Sequence, residues 1–363
     1  MRVSAILVIV DSSPSTTGDS SPQVARPATC NPLVCEDILG RSVLDRTIAR
    51  LRSAGVETIS LVVGSSISSF PLQSARDLEI VRVDRSVDPW REAQRTLRRH
   101  GVLGIETSLV IELSTYMEFS VKDSVAFNRT KGSPLTQFHD NAGPLDSWIV
   151  DCKWFSDAGG TLPFREDAFP GLPVPFPIAG YVNRLNDFHH LRALVVDTLL
   201  ARCEMKPIGR EIRPGIWVDE GARVHRTARL VAPVYLARSA RVGRSAVITR
   251  FSNIERHAEV GDGTAVHSAT ILPNTILGRG LDVSHAVVDG NKFFDLGRNV
   301  GFEVDDPKLI RDSTRIKWPI PVECYGQPTM QLRHEDAITF QYQNYIARAA
   351  GRLSGVFFKG ANL

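Results

Sequence analysis

The second half of the chain carries His225, His257, His267 and His285, and imidazole is the side chain best suited to proton transfer near neutral pH. His267 and His285 are 18 residues apart, so a structural repeat of that length would stack them. Arginines recur in the same stretch, at Arg226, Arg238, Arg244, Arg250 and Arg256. The same repeat would place Arg226 over Arg244 and Arg238 over Arg256, forming ladders able to hold an anion or an acidic partner. With Glu255, Glu259 and Asp262 nearby, a solvated face is the plainer reading.

Such groups act only where a scaffold holds them. Ten consecutive hexads begin with an aliphatic residue: Val218, Val224, Leu230, Leu236, Val242, Ile248, Ile254, Val260, Val266 and Leu272. The fifth position of each hexad is mostly small, as in Ala222, Ala228, Ala240, Ala246, Ser252 and Ala258. A period of six matches neither the 3.6 of an amphipathic helix nor the 2 of one long strand. Short parallel strands coiled over a continuous core satisfy it. The pattern resembles the hexapeptide-repeat left-handed β-helix, with three hexads per coil. Strict register ends after Leu277, and Val283, Val287 and Phe293 extend the coil irregularly to about Val300.

Ahead of the repeat, Ala5 to Val10 is unbroken aliphatic sequence, as in a strand buried on both faces. It ends at Asp11 and is too short for a signal-peptide core or a membrane span. Leu44, Ile48 and Leu51 have helical spacing, with Gly55 placed to end the helix. Strands follow at Thr58 to Val63, Leu78 to Val83 and Ser108 to Leu113, with a helix from Pro89 to His100. This alternation predicts a parallel sheet with right-handed crossovers. Residues 122–176 show little pattern beyond a strand at Trp148 to Cys152, and Leu191, Leu194, Val195 and Thr198 mark a further helix. The expected division is an α/β domain over 1–209, the coil over 210–303, and an irregular linker with a C-terminal amphipathic helix over 304–363. On that helix Ile338, Tyr342, Tyr345, Ala349 and Leu353 form one face, apolar enough to predict docking or a homo-oligomer interface.

The formal charge of +3 over 363 residues gives no reason to expect a nucleic-acid partner. Five cysteines without a CxxC pair signal neither a disulfide framework nor a zinc site, so reduced thiols and a cytoplasmic location are expected.

Two segments resemble the nucleotide-sugar pyrophosphorylases, that is, the sugar-1-phosphate nucleotidyltransferases, and especially their mannose-1-phosphate guanylyltransferase-like branch. The first is Asn31-Pro32-Leu33-Val34 followed by Gly40-Arg41-Ser42-Val43-Leu44, similar to the family's "KPLL, short spacer, GKPLL". The second is Gly180-Tyr181-Val182 with Leu191-Arg192-Ala193 beyond it, similar to the family's "GYWxD" strand and following helix. The resemblance implies a Rossmann-like nucleotidyltransferase domain ahead of the β-helix. It also implies Mg2+ as cofactor if the protein is active, and a nucleoside triphosphate or nucleotide sugar as ligand.

The sequence departs from the family at its chemical positions. A Gly-rich loop with an Arg is replaced by Asp11-Ser12-Ser13-Pro14-Ser15-Thr16-Thr17-Gly18, whose side chains leave fewer convergent amides for phosphates. Asp11, Ser12 and Ser13 are the candidate nucleotide contacts. The family's lysine falls on Asn31, its first metal-binding Asp on Ser114 and its second on Arg184. Glu112 and Asn183 are the nearest candidate metal ligands. The expectation is a catalytically weak or inactive pyrophosphorylase-like protein that binds a sugar nucleotide or a partner in polysaccharide precursor synthesis. One alternative is an active nucleotidyltransferase with rewired ligands, drawing on Asp11, Glu112 and Asn183. Another is a hexapeptide-repeat acyltransferase using one of the four histidines.

Overall fold

The computed structural model describes residues 2–10, 32–64, 78–84, 88–157 and 173–315. Asp11, Ser12, Ser13, Asn31 and the expected C-terminal helix lie outside them. The described chain is mixed α/β and forms two compact units. One holds residues 2–10, 32–36 and Arg41–Leu191, the other Asp37–Gly40 and 192–315. The sequence-based division at 209 follows the start of the repeat, whereas the compact division falls at Arg192, whose side chain is bonded within the second unit.

In the first unit, β1 (Val3–Ile9), β2 (Thr58–Gly64), β3 (Leu78–Val83) and β4 (Thr107–Glu112) are parallel neighbours in the order β3-β2-β1-β4. Ser4 to Ile9 are all buried, which explains the unbroken aliphatic run in β1. Helix α1 (Val43–Ser53) starts where the Ser42 hydroxyl accepts from the Asp45 amide, and it carries Arg50 and Arg52 in its last turn; both features favour the local backbone dipoles. Its end uses Gly55 at φ +86, with the Val56 amide returning to the Leu51 carbonyl. Helix α2 (Pro89–Val102) begins with Pro89 behind an Asp88 cap.

The expectation of a wholly parallel sheet is corrected beyond β4. Strand β5 (Thr115–Met117) leaves the sheet, helix α3 (Val121–Lys131) follows, and β6 (Leu135–Asp140) forms a hairpin with β7 (Gly143–Asp151). The reversal is local: the Asp140 carboxylate accepts from the Ala142 amide, an Asx turn that needs no crossover helix. Strand β7 therefore lies antiparallel between β6 and β4, and β8 (Val174–Pro177) adds parallel to β6, giving the order β8-β6-β7-β4-β1-β2-β3. Cys152 opens the short helix α4 (Cys152–Asp157) rather than ending a strand.

A buried polar chain crosses the strands of this sheet. Ser60 donates to Glu79 at 2.7 Å and lies 3.1 Å from His100 Nε2, while Ser4 lies 2.8 Å from Nδ1 and 2.9 Å from Ser108. Each ring nitrogen of His100 thus faces a serine hydroxyl, with the donor and acceptor of each bond set by the ring tautomer. Burial, with help from Arg99 and against Glu79, pushes the His100 pKa down from 6.5 to about 4. A depressed histidine pKa favours the folded state above 6.5 and loses that advantage as pH falls to 4, because the unfolded chain takes the proton first. That window is worth about 3 kcal/mol. Urea unfolding should show this loss in the parent protein and a correspondingly flatter acid slope in His100→Gln. An unchanged slope would remove His100 as its source.

Three parallel ladders build the second unit. The first stacks Ile216–Val218, Val234–Leu236, Ser252–Ile254, Thr270–Ile271 and Ala286–Asp289. The second stacks Arg223–Val224, Arg241–Val242, Glu259–Val260 and Thr275–Leu277. The third stacks Arg229–Val231, Val247–Thr249, Ala265–His267 and Asp282–Ser284. Leu236, Val242, Ile248, Ile254, Val260 and Val266 are all in the core at 3% exposure or less, so the lead hexad position points inward. Val224, in the first coil, is 38% exposed.

Register changes earlier than the sequence pattern indicates. Val234 pairs with Ser252, but Asn253 pairs with Thr270. One residue is omitted at the corner before Thr270, so Ile271, not Leu272, stacks on Ile254. The expected coil to Val300 is also corrected. Lys292–Asp295 and Val300–Glu303 add antiparallel to the first ladder, and Ile310–Asp312 adds antiparallel to the second. No helix of the described residues is long and apolar enough to cross a membrane.

Candidate functional site

Sheets of this kind place ligands beyond the carboxyl ends of their parallel strands, at the point where strand order reverses. Here that point lies between β1 and β4, since β1 leads to β2 on one side and has β4 on the other. Glu112 stands there, opposite Val8, and the Leu113 amide is tied to the Val8 carbonyl at 2.8 Å. Glu112 is half-buried.

Beyond it, β5 pairs antiparallel with β9 (Val182–Arg184), with Thr115 opposite Arg184 and Tyr116 opposite Asn183. The Leu185 amide donates to the Ser114 carbonyl at 2.9 Å. Ser114 and Arg184, 70 positions apart in sequence, therefore meet at one ladder end. Alternation along β9 sends their neighbours different ways. The Arg184 guanidinium grips Asp140 through both carboxylate oxygens at 3.2 and 2.9 Å. Burial alone would raise the Asp140 pKa, but the Arg184 hydrogen bonds, the Ala142 and Gly143 amides and the arginine charge together lower it. Asn183 is buried and its Nδ2 donates to the His190 carbonyl at 3.1 Å and to Tyr181 Oη at 3.3 Å. Its Oδ1 is buried with no hydrogen-bond partner among the described residues.

A shell for Mg2+ is built from oxygen ligands, normally with at least one carboxylate. Ser114 and Arg184 offer a hydroxyl and an ion-paired cation, which leaves Glu112 and the Asn183 amide oxygen. No group of three His, Cys, Asp or Glu side chains able to hold a metal occurs among the described residues. The described donor set at this edge fits Mg2+ poorly, and no metal-dependent step is assigned to it.

The histidines divide. His225 Nδ1 accepts from the Thr227 amide, and His257 sits at a left-handed corner with φ +58. His267 and His285 have rings 5.7 Å apart, edge to face, although His267 pairs in register with Ser284. Burial first, then Arg250 and His285, lower the His267 pKa. Of the arginines, Arg238 pairs with Glu220 and Arg256 with Asp37 at 3.1 Å.

One cluster runs against expectation. Glu255, read from the sequence as part of a solvated face, is fully buried. It accepts from the Leu39 and Gly40 amides at 2.8 and 3.0 Å and from Asn253 Nδ2 at 2.7 Å. Burial and the neighbouring Asp37 push its pKa up to about 8. Beside it, the buried Arg192 donates to the Phe251 carbonyl, Asn253 Oδ1, Thr270 Oγ1 and Ser268 Oγ. Outward hexad positions default to solvent, so nothing in the repeat distinguishes Glu255 from Glu259 before the 37–40 turn is placed over it.

No family model matches the chain, and no curated protein matches it.

Proposed function

We propose that this protein is a catalytically weak or inactive relative of the nucleotide-sugar pyrophosphorylases. In this reading the first unit is a Rossmann-like nucleotidyltransferase domain, the second a left-handed parallel β-helix, and the ligand a nucleotide sugar or a partner in polysaccharide precursor synthesis. The observation that carries it is the meeting of Ser114 and Arg184 at the end of one ladder. These are the positions on which the family's two metal-binding acids fall, and they hold a hydroxyl and an arginine committed to Asp140. Transfer to a triphosphate depends on neutralising phosphate charge. Without acids to hold the metal, binding survives better than turnover.

A thermal-shift screen of nucleoside triphosphates and nucleotide sugars, paired with a pyrophosphate-release assay in Mg2+, tests this. A ligand selective for the native state must raise the midpoint, so a nucleotide sugar should shift it while pyrophosphate release stays at background. Robust turnover abolished by Glu112→Ala or Asn183→Ala would establish the rewired enzyme instead. No shift with any nucleotide would remove the family reading.

A further inference from the structure

A groove of about 930 Å3 runs across the second ladder of the second unit, within the size of small-molecule sites, about 300–1,000 Å3. One side is an outward column in which Arg223, Arg241, Glu259, Ile276 and Arg311 are successive cross-strand neighbours. Two residues further along each strand, the lining is Gly243, Gly261 and Gly278. These glycines are required by coil stacking: a Cβ on Gly261 would lie 2.3 Å from the Gly278 carbonyl oxygen, and one on Gly278 2.0 Å from that of Lys308. The consequence is a floor of bare backbone. Arg244, Asp262, Arg279 and Lys308 follow on the other side.

The charge is unbalanced. Six cationic side chains, Arg223, Arg241, Arg244, Arg279, Lys308 and Arg311, face two carboxylates. Glu259 pairs with Arg241 at 3.2 Å, and Asp262 accepts from the Arg244 amide while lying 3.9 Å from Arg279. Arg223, Arg244, Lys308 and Arg311 have no carboxylate in ion-pair reach among the described residues. In sequence, residues 316–363 carry the same excess, with Lys317, Arg333, Arg348, Arg352 and Lys359 against Glu323, Glu335 and Asp336.

We infer that this groove is an anion site for a compact ligand bearing two or more linked phosphoryl groups. Rungs of a ladder lie about 4.8 Å apart, so a diphosphate reaches cations on neighbouring coils and on both sides of the floor together. Arginine forks favour phosphate oxygens over chloride or a lone carboxylate. A floor without side chains lets the phosphates approach closely, and Ile276, Pro307 and Leu309 give an apolar end against which a base or other flat group rests. The inference does not depend on the reading of the first unit.

The test is calorimetric titration of the full chain with inorganic pyrophosphate and, separately, with guanosine diphosphate. Arg244→Glu and Arg311→Glu, both at exposed positions, should each weaken pyrophosphate binding about tenfold or more, as expected for loss of a charge-assisted contact. Arg213→Glu, exposed and outside the groove, should leave it unchanged. If guanosine diphosphate binds more tightly than pyrophosphate, with the same sensitivity to the groove variants, the ligand is a nucleotide that also uses the apolar end. Equal affinity assigns recognition to the phosphates alone. Absence of pyrophosphate binding, binding insensitive to both groove variants, or failure of pyrophosphate to displace a long acidic polymer from the protein would overturn the assignment.

Discussion

Ile254→Asp is expected to unfold the second unit at temperatures where the parent protein is intact. Ile254 has no exposure and packs in a core shared with Leu236, Val242, Ile248 and Ile271. A carboxylate there has no partner, and the loss of apolar burial adds to its desolvation, for a cost of about 5 kcal/mol or more. Val242→Asp should behave alike, since Val242 is 3% exposed. Circular dichroism melts of both variants measure the effect. A soluble variant with an unchanged midpoint would mean that the lead hexad position does not point inward.

Arg192→Met should be the next most damaging single change, at about 4 kcal/mol. The side chain is buried and serves four acceptors in the second unit, and burial lowers its pKa to about 10. Methionine fills much of the volume but donates nothing, so buried oxygens on Phe251, Asn253, Thr270 and Ser268 lose their donor at about 1–3 kcal/mol for each one left unsatisfied. Arg192→Lys should recover only part of the loss, because one ammonium cannot reproduce the planar fork. Urea unfolding with equal stability for all three proteins would show the network to be dispensable.

What the sequence revealed depended on whether a residue's neighbours were local. The strand at Thr58–Gly64, the helix opening at Pro89 and the inward lead of the hexads are each written in a short stretch by periodicity and caps. The β6–β7 hairpin was missed because its polar members Gln137, His139 and Asp140 break the apolar pattern, and its antiparallel direction is set by one Asx turn. The slip to Ile271 was missed because Leu272 is also aliphatic, so a one-residue omission leaves the hydrophobic pattern intact. At the candidate site, Ser114 and Arg184 were reached through family resemblance, while the partner that commits Arg184, Asp140, is a long-range neighbour that no local pattern marks. Glu255 and Arg192 were hidden for a further reason: charged residues are nearly always at the surface, and only the full set of donors and acceptors makes burial tolerable.

The coil is closed by antiparallel strands in some places and left open in others, and that difference makes its two ends unlike. Arg210–Arg213 covers the first ladder where the coil begins, and Val300–Glu303 and Ile310–Asp312 finish two ladders where it ends. Among the described residues, Arg223–Val224 and Arg229–Val231 remain as unpaired parallel edges, with Val224 and Val231 38% and 46% exposed. Such edges are templates for strand addition by another chain. Both begin with an exposed arginine, so two copies meeting end to end at this rim would bring like charges together before any backbone pairing formed. Electrostatic repulsion there does what covering strands do elsewhere, and it is a guard that high salt would weaken.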